Sequence, residues 1–228
     1  MKKSKTIYLL PIFLTFTLII SYTLGEDSLG GAEHDFIFHK KFIFLFAEDL
    51  KNTLLIYGSD ELSARNSPVL YIFLGYLVKL GIKIEYIRYL NFIVVVPLFV
   101  IFSNCIKTKY KGLNYKTLII LFSILLLSPT IRSLIIWPYP LIWAILFFLY
   151  SIFFYLKFLQ SNNTKSKIYY ALINIFFVAL SSYLTPNFAF FSIYFFYNFF
   201  IYFKFSQKLI LIATSNLVLA LPAIYYYH

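Results

Sequence analysis

Residues 86–106 read YIRYLNFIVVVPLFVIFSNCI, and residues 107–116 continue as KTKYKGLNYK. The first stretch carries one charged side chain, Arg88, and is long and apolar enough to cross a bilayer as a helix. The second contains four lysines and no acid. Because basic residues collect in the cytoplasmic loops of membrane proteins, the pair predicts a membrane helix whose carboxyl end lies in the cytoplasm.

The composition of the whole chain indicates the same class of protein. Hydrophobic types make up 61% of the 228 residues and charged types 13%, against roughly 25% charged in ordinary globular proteins. This apolar content suffices for about seven helices of about 20 residues each. We therefore expect a polytopic all-α membrane protein. The net charge of +11 comes from loop lysines, and a soluble or nucleic-acid-binding protein is excluded.

Apolar runs and lysines alternate along the rest of the chain. The segments predicted to lie inside carry twelve of the twenty basic residues and no acid. Seven spans with a cytoplasmic amino end satisfy every loop. They are 7–24, 86–106, 117–127, 138–156, 168–184, 188–203 and 209–225. The abundance of Phe, Tyr, Ile, Lys and Asn is typical of an AT-rich bacterial genome, and we expect a multi-pass protein of the bacterial inner (plasma) membrane.

All nine acidic residues lie between residues 25 and 85, in the loop that this topology places outside. Apolar residues recur at helical spacing over 36–54, and a second apolar stretch covers 69–80. Both stretches predict helices that lie on the membrane surface. We therefore describe the chain as one membrane module, with an outer acidic loop and two surface helices (25–85) followed by a helical bundle (86–228).

The densest group of polar side chains is Gly30-Gly31-Ala32-Glu33-His34-Asp35. The glycines free the backbone to bend. A carboxylate here could accept a proton from an acceptor hydroxyl or amine, or hold a metal ion. In an extended segment, Glu33 and Asp35 would project to the same side. A solvated acidic loop is the other interpretation of this group. No Cys/His cluster has the spacing of a metal site, so we assign no metal ligand.

The order of these features resembles the GT-C superfamily of membrane glycosyltransferases, most closely the bacterial lipid-A aminoarabinose transferases and the protein O-mannosyltransferase-like group. Members carry an Asp-Glu-type motif after the first span, then a Pro-led surface helix ending in Gly, then an Arg-containing second span. The matching features here are Glu33/Asp35, residues 67–81 and residues 85–90. Where relatives often carry Asp-Pro, this chain has WPYP at 137–140, which predicts an interfacial aromatic belt and a helix start.

Members of the superfamily usually continue with further spans and often with a soluble outer domain. The resemblance covers essentially the whole chain as architecture. The chain is therefore either a truncated reading frame or a minimal seven-span module, and of the two we expect the truncated frame.

The resemblance implies transfer of a sugar from a polyprenyl-phosphate carrier to a lipid, glycan or protein acceptor on the outer face of the membrane. It implies Asp35 as the catalytic carboxylate, with Glu33 beside it. His34, Arg88 and Arg132 are the candidates for substrate binding, the arginines because their planar fork suits a lipid phosphate. A divalent cation is compatible with this chemistry, and no other cofactor is predicted.

No acid follows Glu85 in the sequence, and we expect no carboxylate partner for Arg88 or Arg132. Snorkelling of both arginines to the headgroup region is the other interpretation. Two further functions stay open. One is a lipid-linked polysaccharide transporter or flippase, and the other is a non-catalytic membrane scaffold.

Overall fold

The computed structural model describes residues 9–27, 30–57, 59 and 67–227. Within these ranges every regular element is helical. The predicted cytoplasmic amino end, the first two residues of the first predicted span and His228 lie outside the described residues. The α-helices are α1 (Leu9–Leu24), α2 (Ala32–Glu48), α3 (Leu50–Ile56), α4 (Val69–Lys79), α5 (Ile84–Ile93), α6 (Val95–Lys109), α7 (Tyr115–Leu127), α8 (Pro129–Ile136), α9 (Pro140–Gln160), α10 (Thr164–Leu184), α11 (Phe190–Phe203) and α12 (Gln207–Tyr227), with a 3-10 turn (Pro186–Ala189) before α11.

Three helical segments of the described chain are long and apolar enough to cross a membrane. They are the continuous pair α5–α6 (Ile84–Lys109), α9 and α10. The pair α7 and α8 passes the same test, but its two helices are bent by 78° at their junction, as in a broken span or a re-entrant loop. The expectation of an all-helical membrane protein is thus supported with three or four candidate spans. The full count of seven stays a prediction.

The bend between α7 and α8 follows from the local sequence. Proline disfavours the helical conformation of the residue before it, and Ser128 is extended (φ −65°, ψ 122°) while Pro129 begins the next helix. The side chains of Ser133, Leu134, Ile135 and Ile136 are fully buried. The chain therefore continues past residue 128 as α8, whose carboxyl end is packed inside the protein, and the predicted exit of the third span to the outside at this point stays a prediction.

The stretch predicted as the first surface helix forms two helices, α2 and α3, which break at Asp49. The Asp49 side chain accepts a hydrogen bond from the backbone N–H of Asn52 (3.0 Å) and so caps α3. α2 packs closely against α4 at Gly75. The two backbones are so near each other there that a Cβ on Gly75 would lie 2.8 Å from the carbonyl oxygen of Ile43. The second predicted surface helix, 69–80, is α4.

The central helices are joined by hydrogen bonds from small polar side chains. The Nδ2 of Asn174 donates to the carbonyl oxygen of Ser151 (2.8 Å), and the hydroxyl of Ser181 donates to that of Ala144 (2.8 Å). These two contacts pair α9 and α10 as an antiparallel hairpin. Cys105, the one cysteine of the chain, is buried between α6 and α9. Side-chain hydrogen bonds of this kind are common between membrane helices.

Candidate functional site

The predicted acidic motif lies in the first turn of a helix. The Asp27 carboxylate accepts hydrogen bonds from the backbone N–H groups of Gly31 (2.8 Å), Ala32 (3.0 Å) and Glu33 (3.3 Å), which have no partner inside the helix. Partial burial acts to raise the pKa of Asp27, but these N–H donors outweigh it and lower the pKa. Gly31 has φ 147°, a conformation that favours glycine. Asp27 therefore caps α2 as an ionised carboxylate.

The expectation that Glu33 and Asp35 project to the same side is wrong, because the segment is helical and not extended. In an α-helix, residues two positions apart point about 200° apart around the axis. Glu33, His34 and Asp35 are all exposed. Asp35 instead shares a helix face with His39, four residues later. The turn thus presents one carboxylate, and not a pair, to the side on which His39 lies.

His39 is buried beside Asp35, although it was not among the residues predicted for the site. Its side chain is only 6% exposed, and its ring lies 5.1 Å from that of Tyr71 and 5.4 Å from that of Tyr139, between centroids. Burial lowers the pKa of His39, and the nearby Asp35 carboxylate raises it in part. At neutral pH the imidazole is therefore uncharged. The spacing of four residues from Asp35 is the sequence signal that could have identified His39.

Arg132 of α8 is paired with a carboxylate, so the expectation that it has none is wrong. Its guanidinium donates to both oxygens of Glu26, at 2.8 Å from Nη2 and 3.2 Å from Nε. It also donates to the hydroxyl oxygens of Thr17 and Ser21 on α1. Glu26 precedes Arg132 by 106 positions, and the sequence prediction considered only the chain after Glu85, where no acid occurs. This fork holds α8 against the end of α1.

Arg88 of α5 is placed differently. Its Cζ lies 4.0 Å from the ring centroid of Trp137 and 4.8 Å from that of Tyr22. Its N–H groups make two long contacts, to the carbonyl oxygens of Tyr22 (3.4 Å) and Ile136 (3.5 Å). Among the described residues, no carboxylate lies within ion-pair distance of Arg88. The Arg88 guanidinium thus lies against two aromatic rings and has no carboxylate partner among the described residues.

Asn91, one turn after Arg88, organises the end of α8. Its Nδ2 donates to the carbonyl oxygens of Leu134 (2.8 Å), Ile135 (2.7 Å) and Trp137 (3.3 Å). Its Oδ1 accepts from the indole N–H of Trp143 at 3.0 Å. The last carbonyls of a helix have no partner within it, so a buried amide that supplies donors satisfies them. Asn91 is 1% exposed, and the sequence pattern did not mark it.

Trp137 joins these groups to the acidic turn. Its indole N–H donates to the carbonyl oxygen of Glu26 (3.1 Å), and its ring lies 5.9 Å from that of Phe36, the neighbour of Asp35. Together with the Arg88 contact, this places α1, α2, α5 and α8 around one indole. The helix start predicted at residues 137–140 is confirmed by α9, which begins at Pro140. Trp137 itself is buried, however, and does not belong to an exposed aromatic belt.

The site residues predicted from the sequence therefore gather at one end of the bundle, in two different settings. Glu33, His34 and Asp35 are exposed on the first turn of α2, whereas Arg88 and Arg132 are half-buried, Arg88 against the ring of Trp137 and Arg132 in its fork with Glu26. Within the described ranges, no three side chains of His, Cys, Asp or Glu come together as a metal site requires, so no ligand for the predicted divalent cation can be named. No protein-family model, curated protein or solved structure is found to match this chain.

Proposed function

We propose that this chain is a membrane glycosyltransferase of the GT-C type. It moves a sugar from a polyprenyl-phosphate carrier to a lipid, glycan or protein acceptor. The observation that supports this most is the position of Trp137, whose ring contacts Arg88 on one side and Phe36, next to Asp35, on another. A cation suited to a phosphate and a carboxylate suited to a proton thus lie at the same end of one bundle.

In this reaction Asp35 is the general base. The acceptor oxygen or nitrogen attacks the sugar carbon that carries the phosphate, and its proton passes to the Asp35 carboxylate. The carbon–oxygen bond to the carrier breaks, and the electron pair leaves with the polyprenyl phosphate. Exposure of Asp35 on the first turn of α2 gives an acceptor access to it. His39 beneath it is neutral, so it does not tie up the carboxylate in an ion pair.

The two arginines have different roles in this proposal. Arg88 contacts the carrier phosphate, because its guanidinium makes only long bonds to backbone carbonyls and has no carboxylate partner among the described residues. Developing negative charge on a leaving phosphate is stabilised by such a group. Arg132 keeps its fork with Glu26 and positions α8. Glu33 and His34 remain candidates for contact with the acceptor, since both are exposed in the same turn.

The site faces outward if the chain follows the seven-span topology with a cytoplasmic amino end, which we propose for the bacterial plasma membrane. The continuous segment Ile84–Lys109 begins near Arg88 and ends in Lys107 and Lys109. α9 begins next to Trp137 and has Lys157 in its last turn. Lysine-rich ends lie in the cytoplasm, so the acidic turn lies outside. In this arrangement α2 and α4 lie along the outer membrane surface.

The test is transfer of a labelled sugar from a polyprenyl-phosphate carrier in membranes that contain each variant at matched expression. Asp35→Asn keeps the shape of the side chain but removes the basic oxygen, so turnover falls by about 10²- to 10⁴-fold. Glu48→Gln is the matched control, since Glu48 is an exposed carboxylate at the other end of the same helix, and it leaves turnover unchanged. If Asp35→Asn kept wild-type turnover, Asp35 would not be the general base, and the interpretation of the motif as a solvated acidic segment would remain.

A further inference from the structure

A polar pocket of about 370 Å³ opens at the other end of the bundle, between the carboxyl ends of α6 and α9. The Nε2 of Gln160 donates to the carbonyl oxygen of Thr108 and ties the two ends together. The pocket is separate from the acidic turn and plays no part in the reaction proposed above. Its polar lining consists of Lys107, Lys111, Lys157, Asn104, Thr108 and Gln160.

Three lysines line this one pocket, and no carboxylate of the described residues lies within ion-pair distance of them. No acid follows Glu85 anywhere in the sequence, and none lines the pocket. Two of the ammonium groups lie over aromatic rings, Lys107 Nζ at 4.7 Å from the centroid of Tyr115 and Lys157 Nζ at 5.4 Å from that of Phe153. The rings orient these cations but do not cancel their charge. Three like charges around one concavity repel each other, and a bound anion would relieve that repulsion.

The position of the pocket selects the kind of anion. Both helices that form it belong to candidate membrane spans, Ile84–Lys109 and Pro140–Gln160, and the pocket lies where both spans end. The ends of spans lie at the depth of the lipid headgroups. Basic pockets between membrane helices at this depth bind anionic headgroups. Asn104, Thr108 and Gln160 add polar side chains that can hydrogen-bond to phosphate oxygens.

We propose that the pocket bounded by Lys107, Lys111 and Lys157 is a binding site for the phosphate of an anionic membrane phospholipid. Each lysine near a headgroup contributes about fivefold to affinity. The three together therefore contribute about 100-fold. A competing explanation is that lysines in the last turns of helices only complement the helix dipole. That explanation predicts an effect on stability but no pocket-specific retention of a lipid.

The experiment uses the purified full chain in a nonionic detergent, with bound lipid counted by native mass spectrometry. Phosphatidylglycerol is titrated against phosphatidylcholine, and inorganic phosphate at millimolar concentration is added in a separate arm. We expect preferential retention of phosphatidylglycerol by the wild type. The triple variant K107Q/K111Q/K157Q loses about 100-fold in apparent affinity. The charge-preserving triple change to arginine retains binding, which keeps the test decisive if the glutamine variant folds poorly.

The matched control removes the same charge from three lysines that do not line the pocket but lie at the same end of the bundle, as K165Q/K204Q/K208Q. Lys167 shows that these lysines lie at the same end. Its Nζ is 3.8 Å from the ring centroid of Tyr202, near the end of α11, and 4.9 Å from that of Phe158, near the end of α9. The control retains phosphatidylglycerol within about threefold of the wild type. If both triple variants lost the same apparent affinity for phosphatidylglycerol, the proposed site would be overturned, because the lipid would then respond only to the total charge at this end of the bundle. Displacement of phosphatidylglycerol by inorganic phosphate would overturn the assignment to a lipid.

Discussion

Replacement of Asn91 by leucine should destabilise the protein more than any other single loss of a side-chain amide in the described bundle. Leucine has a similar size but neither donates nor accepts a hydrogen bond. The change leaves the carbonyl oxygens of Leu134 and Ile135 without their amide donor, and the indole N–H of Trp143 without its acceptor. These groups lie at the buried carboxyl end of α8, so water does not replace the lost partner.

The magnitude follows from the number of groups left unsatisfied. A buried donor or acceptor without a partner costs about 1–3 kcal/mol. The two carbonyl oxygens are fully within the buried end of α8, whereas Trp143 is half-buried and counts less. Leucine recovers part of the loss through its apolar surface. We therefore expect the free energy of unfolding to fall by about 3–5 kcal/mol. Trp143→Phe removes a single donor and should cost about 1 kcal/mol.

The assay is reversible unfolding in mixed micelles, titrated with sodium dodecyl sulfate and followed by circular dichroism, because the described chain is helical. Asn198→Leu is the matched control. The Asn198 amide donates only to the carbonyl oxygen of Tyr194 in its own helix and is half-exposed, so its loss should change stability by less than about 1 kcal/mol. If Asn91→Leu also stays within about 1 kcal/mol of the wild type, the amide does not hold α8 and our account of the network is wrong.

Two further predictions concern α2 and its packing against α4. Glycine-to-alanine changes inside helices usually stabilise a protein. Gly75→Ala should instead lower the free energy of unfolding by about 1–3 kcal/mol, because the new Cβ meets backbone atoms of Ile43 and Ala47. A gain of stability in the same micelle titration would refute the close packing. Because burial lowers the folded-state pKa of His39, the unfolded state binds its proton first, so stability should fall as the pH drops from about 6.5 toward that lower value. His39→Gln should remove this part of the pH dependence, and an unchanged profile in the variant would contradict the assignment.

The membrane class could be predicted from the sequence because it depends on composition. Apolar runs and lysine loops are local signals, and the segments 86–106, 138–156 and 168–184 correspond to candidate spans of the structure. The sequence indicated that a helix ends at Ser128-Pro129, but not how the chain continues after it. Proline predicts where a helix ends, whereas the direction of the next helix depends on its partners. Those partners are Glu26, Arg88 and Asn91, which are distant in sequence.

The local conformation of the candidate motif could not be predicted from the sequence. The motif at residues 30–35 and both arginines were chosen by residue type, and their role in a site stays a prediction. Two glycines before a polar run fit a flexible loop as well as a helix start. The capping carboxylate that decides between them, Asp27, lies outside the motif. Burial of His39 likewise depends on Tyr71 and Tyr139, which come from other parts of the chain.

The hydrogen bonds that hold α8 join residues that are all synthesised before the last third of the chain. Its partners on α1 and α5 precede it in the chain, and Trp143, the last member of the Asn91 network, follows Ile136 by only a few residues. A ribosome that feeds the chain into the membrane from its amino end has therefore supplied the whole network soon after residue 143. Because no member of the network follows Trp143, the turn between α7 and α8 can close before α10, α11 and α12 have entered the membrane, so these last helices join a polar framework that already exists.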